Sequence, residues 1–225
     1  MKYLHIQEAR FLSRPNRFIA HVDLHGEEIV CHVKNTGRCK ELLLPGAKVL
    51  LEKAMDTKRR TAYDLVSVWK GRRLINMDSQ APNKIFAEWA KNGGIPALTK
   101  LLGEQKYGDS RFDFYLEQEG QPGYAEIKGV TLEKDGIALF PDAPTERGVK
   151  HIRELIRAKA AGFAAYLIFI IQMADVDYFT PNRETQPEFA TALKEAEAAG
   201  VQLLALDCLV TQDTVTARQK VPIKI

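Results

Sequence analysis

The chain has 225 residues, of which 45% are hydrophobic and 27% are charged, and this composition is ordinary for a globular protein with a packed core. No apolar run reaches the roughly 18 residues that a membrane span needs, and the N-terminus lacks the hydrophobic segment of a signal peptide. We therefore expect a cytoplasmic protein with no membrane segment. The formal net charge of +3 permits a polyanionic partner without requiring one.

The cysteines argue against a disulfide framework, because there are three of them and they are spread along the chain as Cys31, Cys39 and Cys208. Cys31 and Cys39 flank His32, but no further CxxC or HxxxH pair completes a tetrahedral zinc site. We expect free thiols.

The first third of the chain alternates between short apolar/polar runs and turn residues, which is the pattern of short β-strands. The predicted strands are 17–24, 28–33, 47–52, 64–69 and 73–77. Several short strands in so short a segment are typical of a small barrel of the OB type, a shape that often binds oligonucleotides. We assign residues 1–79 to an OB-like domain that binds nucleic acid, although architecture alone does not establish binding.

Two loops of this segment carry most of its positive charge. Lys34 and Arg38 flank the tripeptide Asn35-Thr36-Gly37, and Lys58, Arg59 and Arg60 follow one another in a second loop. Such side chains either contact phosphate groups or form ordinary solvated loops. We assign them to the nucleic-acid-binding surface.

A helix is predicted from Pro82 to Lys91, with glycines at 93 and 94 as its stop. Its apolar stripe includes Phe86, and Glu88 lies next to that stripe. Glu88 either pairs with a lysine at helical spacing or supplies an additional carboxylate to a metal site. We include Glu88 among the predicted metal ligands.

The centre of the chain is a predicted β-hairpin, formed by residues 111–117 and 124–132. Because side chains alternate along a strand, Glu126 and Lys128 must point to the same face, and Asp113 sits on the neighbouring strand. If the pairing places Asp113 beside Glu126, two carboxylates and an ammonium meet at one sheet edge. Carboxylate oxygens suit Mg²⁺ or Mn²⁺, and the lysine can orient an attacking water or stabilise charge on a phosphate.

The order Asp113, Glu126, Lys128 resembles the signature of the PD-(D/E)xK nucleases. That resemblance implies a metal-dependent phosphodiesterase in which Asp113, Glu126 and Lys128 are catalytic. The alternative is a solvated sheet face that carries a cross-strand Glu/Lys pair.

The remainder of the chain reads as α/β. A helix is predicted from about Thr145, with Arg147 and Lys150 on a basic side that either holds a phosphate backbone or is solvated. The wholly apolar run 164–171 predicts a central strand buried on both faces, and a helix at 187–200 leads to a further parallel strand at 201–206. We assign residues 80–225 to a nuclease-like α/β domain with a mixed central sheet.

Several motifs are spread along the chain: residues 14–18, Asn35-Thr36-Gly37, Thr57-Lys58-Arg59, residues 106–108, Arg111-Phe112-Asp113-Phe114, residues 126–132 and residues 140–148. With these motifs, nearly the whole length of the chain resembles the sugar fermentation stimulation protein family of bacteria and archaea. Asn83 and Glu88 also fit the helix that precedes the hairpin in that family.

The resemblance implies an OB-like domain joined to a nuclease-like α/β domain. It also implies sequence-nonspecific DNA binding and a regulatory part in sugar metabolism, notably of maltose. Two functions stay open at this point. One is a Mg²⁺- or Mn²⁺-dependent nuclease acting on DNA, with RNA as the other candidate; the second is a DNA-binding regulator that retains the nuclease-like fold without catalysis.

Overall fold

The computed structural model describes residues 1–35, 37–56, 58–108 and 110–225. Within these ranges six strands come first, and the rest of the chain contains both helices and strands. They are β1 (Ile6–Ser13), β2 (Ile19–Leu24), β3 (Glu27–Val33), β4 (Lys48–Lys53), β5 (Tyr63–Lys70), β6 (Arg73–Asn76), α1 (Ala81–Trp89), β7 (Leu98–Tyr107), β8 (Ser110–Gln118), β9 (Gln121–Val130), β10 (Leu132–Lys134), β11 (Ile137–Phe140), α2 (Glu146–Ala160), β12 (Ala164–Ile171), β13 (Tyr178–Pro181), α3 (Pro187–Ala198), β14 (Gln202–Val210) and β15 (Val215–Lys220).

The first unit is a closed β-barrel. Its strands lie in the order β3-β2-β1-β4-β5, and a parallel pairing of His32 with Asp64 joins β3 to β5 and closes the ring, with β6 added outside it. Closure pairs the edge strands that an open sheet would leave exposed. The predicted OB-like barrel is confirmed.

One barrel strand was not predicted from the sequence. β1 buries only Ala9 and Phe11, on either side of Arg10, so its apolar pattern is too short to mark a strand. The predicted strand at 73–77 is instead β6, which pairs with β5 but lies outside the ring. The five predicted strands and the five barrel strands are therefore not the same set.

The second unit is built on a six-stranded mixed sheet in the order β15-β14-β12-β9-β8-β7. β12 lies between β9 and β14 and is parallel to both, while β7, β8 and β9 form an antiparallel meander. β12 is buried along nearly its whole length, as expected for a strand covered on both faces. The predicted α/β domain with a mixed sheet is confirmed.

The helices cover opposite faces of this sheet. Leu167 and Phe169 of β12 share a buried cluster with Ile152 of α2, whereas Ile168 and Ile170 share another with residues of α1. Fully burying one such side chain contributes about 1.5–3 kcal/mol, so these two clusters fix the helices on the sheet. The side chain of Thr145 caps α2 by accepting a hydrogen bond from the Gly148 N–H.

A buried polar network joins the two units. Asn76 at the end of β6 accepts a hydrogen bond from Gln172 Nε2 at 2.7 Å and donates to Tyr3 Oη at 2.8 Å. Asp78 is fully buried, and its carboxylate lies 2.9 Å from Lys34 Nζ. All of these side chains except that of Lys34 are almost fully buried, so separating the units would leave several polar groups without their partners.

Two further expectations concern the whole chain. No helix in the part of the chain that the structure describes is both long and apolar enough to cross a membrane. Cys31, Cys39 and Cys208 are free and buried. Burial raises the pKa of the Cys31 and Cys39 thiols to about 12, so neither is a reactive thiolate at neutral pH.

Candidate metal centre and nucleic-acid interface

The predicted hairpin is present, and it places Asp113 on β8 and Glu126 on the adjacent strand β9. β8 and β9 pair antiparallel, and the pairing at the end nearest these acids joins Phe114 to Ala125. Asp113 and Glu126 each lie one residue beyond that last pair, close enough for the charge of Glu126 to raise the pKa of Asp113. The structure thus brings together the two carboxylates that the alternation pattern placed on neighbouring strands.

The Asp113 carboxylate is held by two donors. Its Oδ1 accepts a hydrogen bond from Asn83 Nδ2 of α1 at 2.9 Å, and its Oδ2 accepts one from the backbone N–H of Ile127 at 2.8 Å. A helix and a strand therefore fix the orientation of this side chain.

The Glu126 carboxylate is asymmetric. It is only 3% exposed, and its Oε1 accepts from Lys128 Nζ at 2.7 Å and from His151 Nδ1. Its Oε2 is buried and has no hydrogen-bond partner among the described residues. A buried carboxylate oxygen without a partner carries an uncompensated desolvation cost.

His151 and Arg147, both on α2, extend the site away from the sheet. Arg147 Nε lies 3.3 Å from His151 Nε2. Because a guanidinium can only donate, His151 Nε2 accepts this hydrogen bond, and His151 Nδ1 donates to Glu126. The two side chains orient the Glu126 carboxylate.

The two carboxylates respond differently to the same burial. Burial raises the pKa of Asp113 above its usual range, and the nearby negative charge of Glu126 raises it further. Burial alone would also raise the pKa of Glu126, but the hydrogen bond from His151 and the charge of Lys128 bring it below its usual range. The site therefore holds an excess of negative charge that a cation would neutralise.

Glu88, which we predicted as a third metal ligand, lies elsewhere. Its Oε2 pairs with the N-terminal ammonium of Met1, and its side chain is 53% exposed. Among residues 1–35, 37–56, 58–108 and 110–225, no three His, Cys, Asp or Glu side chains form a group that could hold a metal ion. The helix α1 instead delivers Asn83 to the site, five positions earlier than expected.

The residues present nevertheless fit a divalent cation. Asp113 and Glu126 are hard oxygen donors, and the unpartnered Glu126 Oε2 is a ligand atom that nothing else in the described chain occupies. Mg²⁺ commonly takes one or two carboxylates from a protein and fills its other positions with water or substrate phosphate. A pair of carboxylates is therefore a sufficient protein contribution.

Two of the predicted nucleic-acid-binding cations are bound to buried carboxylates instead. Lys34 pairs with Asp78 at 2.9 Å, and Arg59 donates to both oxygens of Asp64, at 2.9 Å and 2.5 Å. The Arg59 contact lowers the pKa of Asp64, although burial opposes the shift. Each of these two cations pairs with a buried carboxylate, so we give both a structural role.

The other predicted cations are at the surface: Arg38, Lys58, Arg60, Arg147 and Lys150 are all exposed. Arg147 combines this exposure with its contact to His151, so it reaches from the surface toward the carboxylates. Thr36 and Thr57, which belong to two of the family motifs, lie outside the described residues.

His151 was not predicted as a site residue, although the sequence contains a signal for it. It is buried on α2 beside the core residue Ile152. A histidine at a buried helical position needs a polar partner, and the strand that α2 packs against carries Glu126. Asn83 was noted only through the family resemblance, because an amide at the start of a helix has no distinctive pattern.

Two family models together match most of the chain. The model described as the SfsA N-terminal OB domain matches residues 12–77, and the model described as the sugar fermentation stimulation protein RE domain matches residues 80–214. Each match falls on one of the two units of the fold.

Whole-chain relatives agree with these models. A sugar fermentation stimulation protein homolog of Desulfitobacterium hafniense (strain Y51) is 57% identical over 225 residues, which cover 100% of this chain and 99% of that protein. A homolog of Ruminiclostridium cellulolyticum is 52% identical and is covered completely, as is this chain. The solved structure of Pyrococcus furiosus SfsA in complex with Ca²⁺ has a TM-score of 0.90 at 27% identity, covering 100% of this chain and 98% of that one. The chain therefore belongs to the sugar fermentation stimulation protein family.

Proposed function

We propose that this protein binds nucleic acid without sequence preference and cleaves it with a divalent cation held by Asp113 and Glu126. The observation that carries the proposal is the buried Glu126 Oε2, which lacks a partner beside a second buried carboxylate. A fold gains no stability from such an arrangement. A cation and a phosphate would satisfy it.

A structurally similar protein supports the choice of a divalent cation. The Pyrococcus furiosus protein was solved in complex with Ca²⁺, which prefers oxygen ligands as Mg²⁺ and Mn²⁺ do. A divalent cation at Asp113 and Glu126 would supply positive charge to a phosphate oxygen and lower the pKa of an attacking water.

Other side chains of the site stabilise charge on the phosphate or position the two carboxylates. Lys128 Nζ lies 2.7 Å from Glu126 Oε1, so its ammonium is held beside the carboxylates, where it can stabilise charge that develops on the phosphate. Asn83 fixes Asp113, while His151, backed by Arg147, fixes Glu126. Asn83 and His151 contact the carboxylates directly and Arg147 acts through His151, so these three act as positioning residues.

Metal binding is tested by calorimetric titration with Mn²⁺. We expect weak binding by the wild type, since two carboxylates are few protein ligands. Asp113→Asn should abolish the titratable site while leaving the circular dichroism spectrum unchanged. Glu88→Gln is the matched control, because it also removes one carboxylate, and it should titrate like the wild type. An unchanged isotherm for Asp113→Asn would remove Asp113 from the site.

Nucleic-acid binding is tested through its dependence on salt. Lys58 and Arg60 are exposed and lie in one loop of the barrel. Each phosphate contact contributes about one unit to the logarithmic salt slope for duplex DNA, so Lys58→Ala/Arg60→Ala should lower that slope by up to about two. Equal slopes in the double variant and the wild type would show that this loop does not contact phosphate.

A second candidate function is a DNA-binding regulator that lacks catalysis. The observation in its favour is that Lys128 and His151 both donate hydrogen bonds to Glu126 Oε1, so one oxygen of this carboxylate is bound by the protein itself. Labelled single strands and duplexes incubated with Mn²⁺ separate the two functions. Binding of both substrates with cleavage of neither would support the regulator.

A further inference from the structure

We propose that the cleft between the barrel and the α/β domain binds a single-stranded segment of nucleic acid and leads it past the Asp113–Glu126 site. This inference rests on the proposed nucleic-acid binding and adds the form of the substrate and the surface that holds it. The cleft has a volume of about 960 Å³.

Both units line the cleft. Ser13, Arg17 and Lys40 line it from the barrel, and Thr131 and Pro141 line it from the α/β domain. A ligand in this space would therefore touch both units at once. Clefts between domains are common ligand sites, because two walls bury more of a ligand than one surface can.

The charge of the cleft is strongly positive. Its lining contains Arg14, Arg17, Arg38 and Lys40 against a single carboxylate, that of Asp142. Arg14 is structural, since it donates to four backbone carbonyls of the surrounding loops. The side chains of Arg17, Arg38 and Lys40 are exposed and form no ion pair within the described ranges. Three free cations in one cleft complement a chain of phosphates.

The same cleft also offers apolar surface. Leu12 lines it and is 37% exposed, and Phe140 also lines it and is half-buried. A duplex hides its bases in the stack and would use only the cations. A single strand can place its phosphates on the cations and its bases on the apolar side chains, so the mixed lining favours a single strand.

The cleft reaches β9 next to the candidate metal centre, although Asp113, Glu126 and Lys128 are not among its lining residues. Gly129 lines the cleft and directly follows Lys128, whose ammonium contacts Glu126. A Cβ at Gly129 would come within 2.7 Å of both Gln172 Oε1 and Pro82 Cγ, so a larger residue has no room there. A strand lying in the cleft would therefore pass close to the two carboxylates.

The test is fluorescence anisotropy with a labelled oligothymidylate and the matched duplex, measured in a chelator so that cleavage does not interfere. We expect the wild type to bind the single strand about tenfold more tightly than the duplex. Arg38→Ala/Lys40→Ala should weaken single-strand binding about tenfold and lower its salt slope by about 1.4, the value for two phosphate contacts on a single strand. The control Lys194→Ala/Lys220→Ala removes two exposed cations outside the cleft lining and should bind as the wild type does.

A second variant tests the apolar contact without changing charge. Leu12→Ser should weaken single-strand binding about fivefold and leave duplex binding unchanged. The inference is overturned if the cleft variant and the control bind alike, if the duplex binds as tightly as the single strand, or if thymidine 5′-monophosphate displaces the strand at equal concentration. The last result would make the cleft a site for a small phosphorylated ligand. Failure to bind any nucleic acid would remove the proposed function as well, whereas cleft-dependent binding without cleavage in Mn²⁺ would remove only the nuclease activity.

Discussion

Glu126 and Glu133 are both buried glutamates that contact a lysine, yet their surroundings differ in charge balance. Glu133 on β10 pairs with Lys70 at 2.6 Å and with Arg73 at 2.7 Å, and the Gly136 N–H also donates to it. Both of its oxygens are used, and one negative charge faces two positive ones. Glu126 faces Lys128 but shares its site with Asp113 and leaves one oxygen without a partner.

The difference separates a stabilising ion pair from a candidate reaction centre. Burial opposes ionisation of Glu133, but the hydrogen bond from Lys70 and the other donors lower its pKa to about 2. At the other site, the pKa of Asp113 is raised by burial and by its acidic neighbour. A saturated cluster stabilises the fold, whereas an unbalanced one costs stability until a ligand arrives.

The largest expected effect is on the cleavage rate, and it distinguishes Lys128 beside Glu126 from Lys70 beside Glu133. Lys128→Ala should slow Mn²⁺-dependent cleavage by about 10²-fold or more, at least about 2.7 kcal/mol, while DNA affinity changes much less. The reason is that its charge stabilises the transition state more than the bound substrate. Lys70→Ala is the matched control and should cut at the wild-type rate. Equal cleavage rates in Lys128→Ala and the wild type would show that Lys128 is not catalytic.

The next effect concerns Glu133. Because its pKa is lowered in the folded protein, its contribution to stability is present above the ordinary pKa of 4.5 and is lost as the pH falls toward about 2. Glu133→Gln should lower the free energy of unfolding at pH 7 by about 2 kcal/mol, a value reduced by the partial exposure of Lys70 to water. Urea denaturation at pH 7 and pH 3 should show a smaller difference from the wild type at the lower pH. A difference that does not change with pH would assign the loss to packing.

Metal addition should act on one site only. Mn²⁺ at ten times its dissociation constant should raise the free energy of unfolding of the wild type by about 1.4 kcal/mol, because the ion binds the folded state. Glu133→Gln should gain the same amount and Asp113→Asn should gain none. Thermal melts with and without Mn²⁺ measure all three, and a full gain in Asp113→Asn would place the ion elsewhere.

The smallest expected effect is a gain in the free energy of unfolding. Without metal, Asp113→Asn should raise the free energy of unfolding at pH 7 by up to about 1 kcal/mol, because it removes a buried charge beside Glu126. The raised pKa of Asp113 means that its ionised form destabilises the fold above the ordinary pKa, so the gain should disappear as the pH falls below that value. Urea denaturation across this pH range measures it. A loss of stability at neutral pH would show that the hydrogen bond from Ile127 outweighs the repulsion.

The sequence predicted most of the architecture, because the elements with strong periodicity dominate it. The apolar run 164–171 is β12 with the same bounds, and the predicted hairpin is β8 and β9. β7 and β15 were missed, since both lie at sheet edges and are largely exposed, with no clear alternation. Edge strands are determined by their neighbours more than by their own residues.

The candidate site was predicted in part for a similar reason. Asp113, Glu126 and Lys128 lie on adjacent strands, where alternation alone fixes which side chains meet. Which side chain a helix places in a site depends on the rotation of the helix about its own axis. The sequence of α1 does not determine that rotation, so it does not show whether Glu88 or Asn83 faces Asp113. The contact of Lys34 with Asp78 joins residues far apart in the chain, and that of Arg59 with Asp64 depends on the path of the loop between them, and neither feature has a local sequence pattern.

The segment that connects the two units, residues 76–79, is held by backbone hydrogen bonds to both of them. Met77 N–H bonds to Val66 in the barrel, Ser79 N–H bonds to Lys34, and Asn76 N–H bonds to the carbonyl of Gln172 in the α/β domain, all at 2.7–2.9 Å. A hinge needs residues whose backbone can turn freely, and these residues cannot turn without breaking buried bonds. The space between the units therefore has a preset width. A ligand that enters it must change its own shape to fit, so the entropic cost of association falls on the ligand and not on the protein.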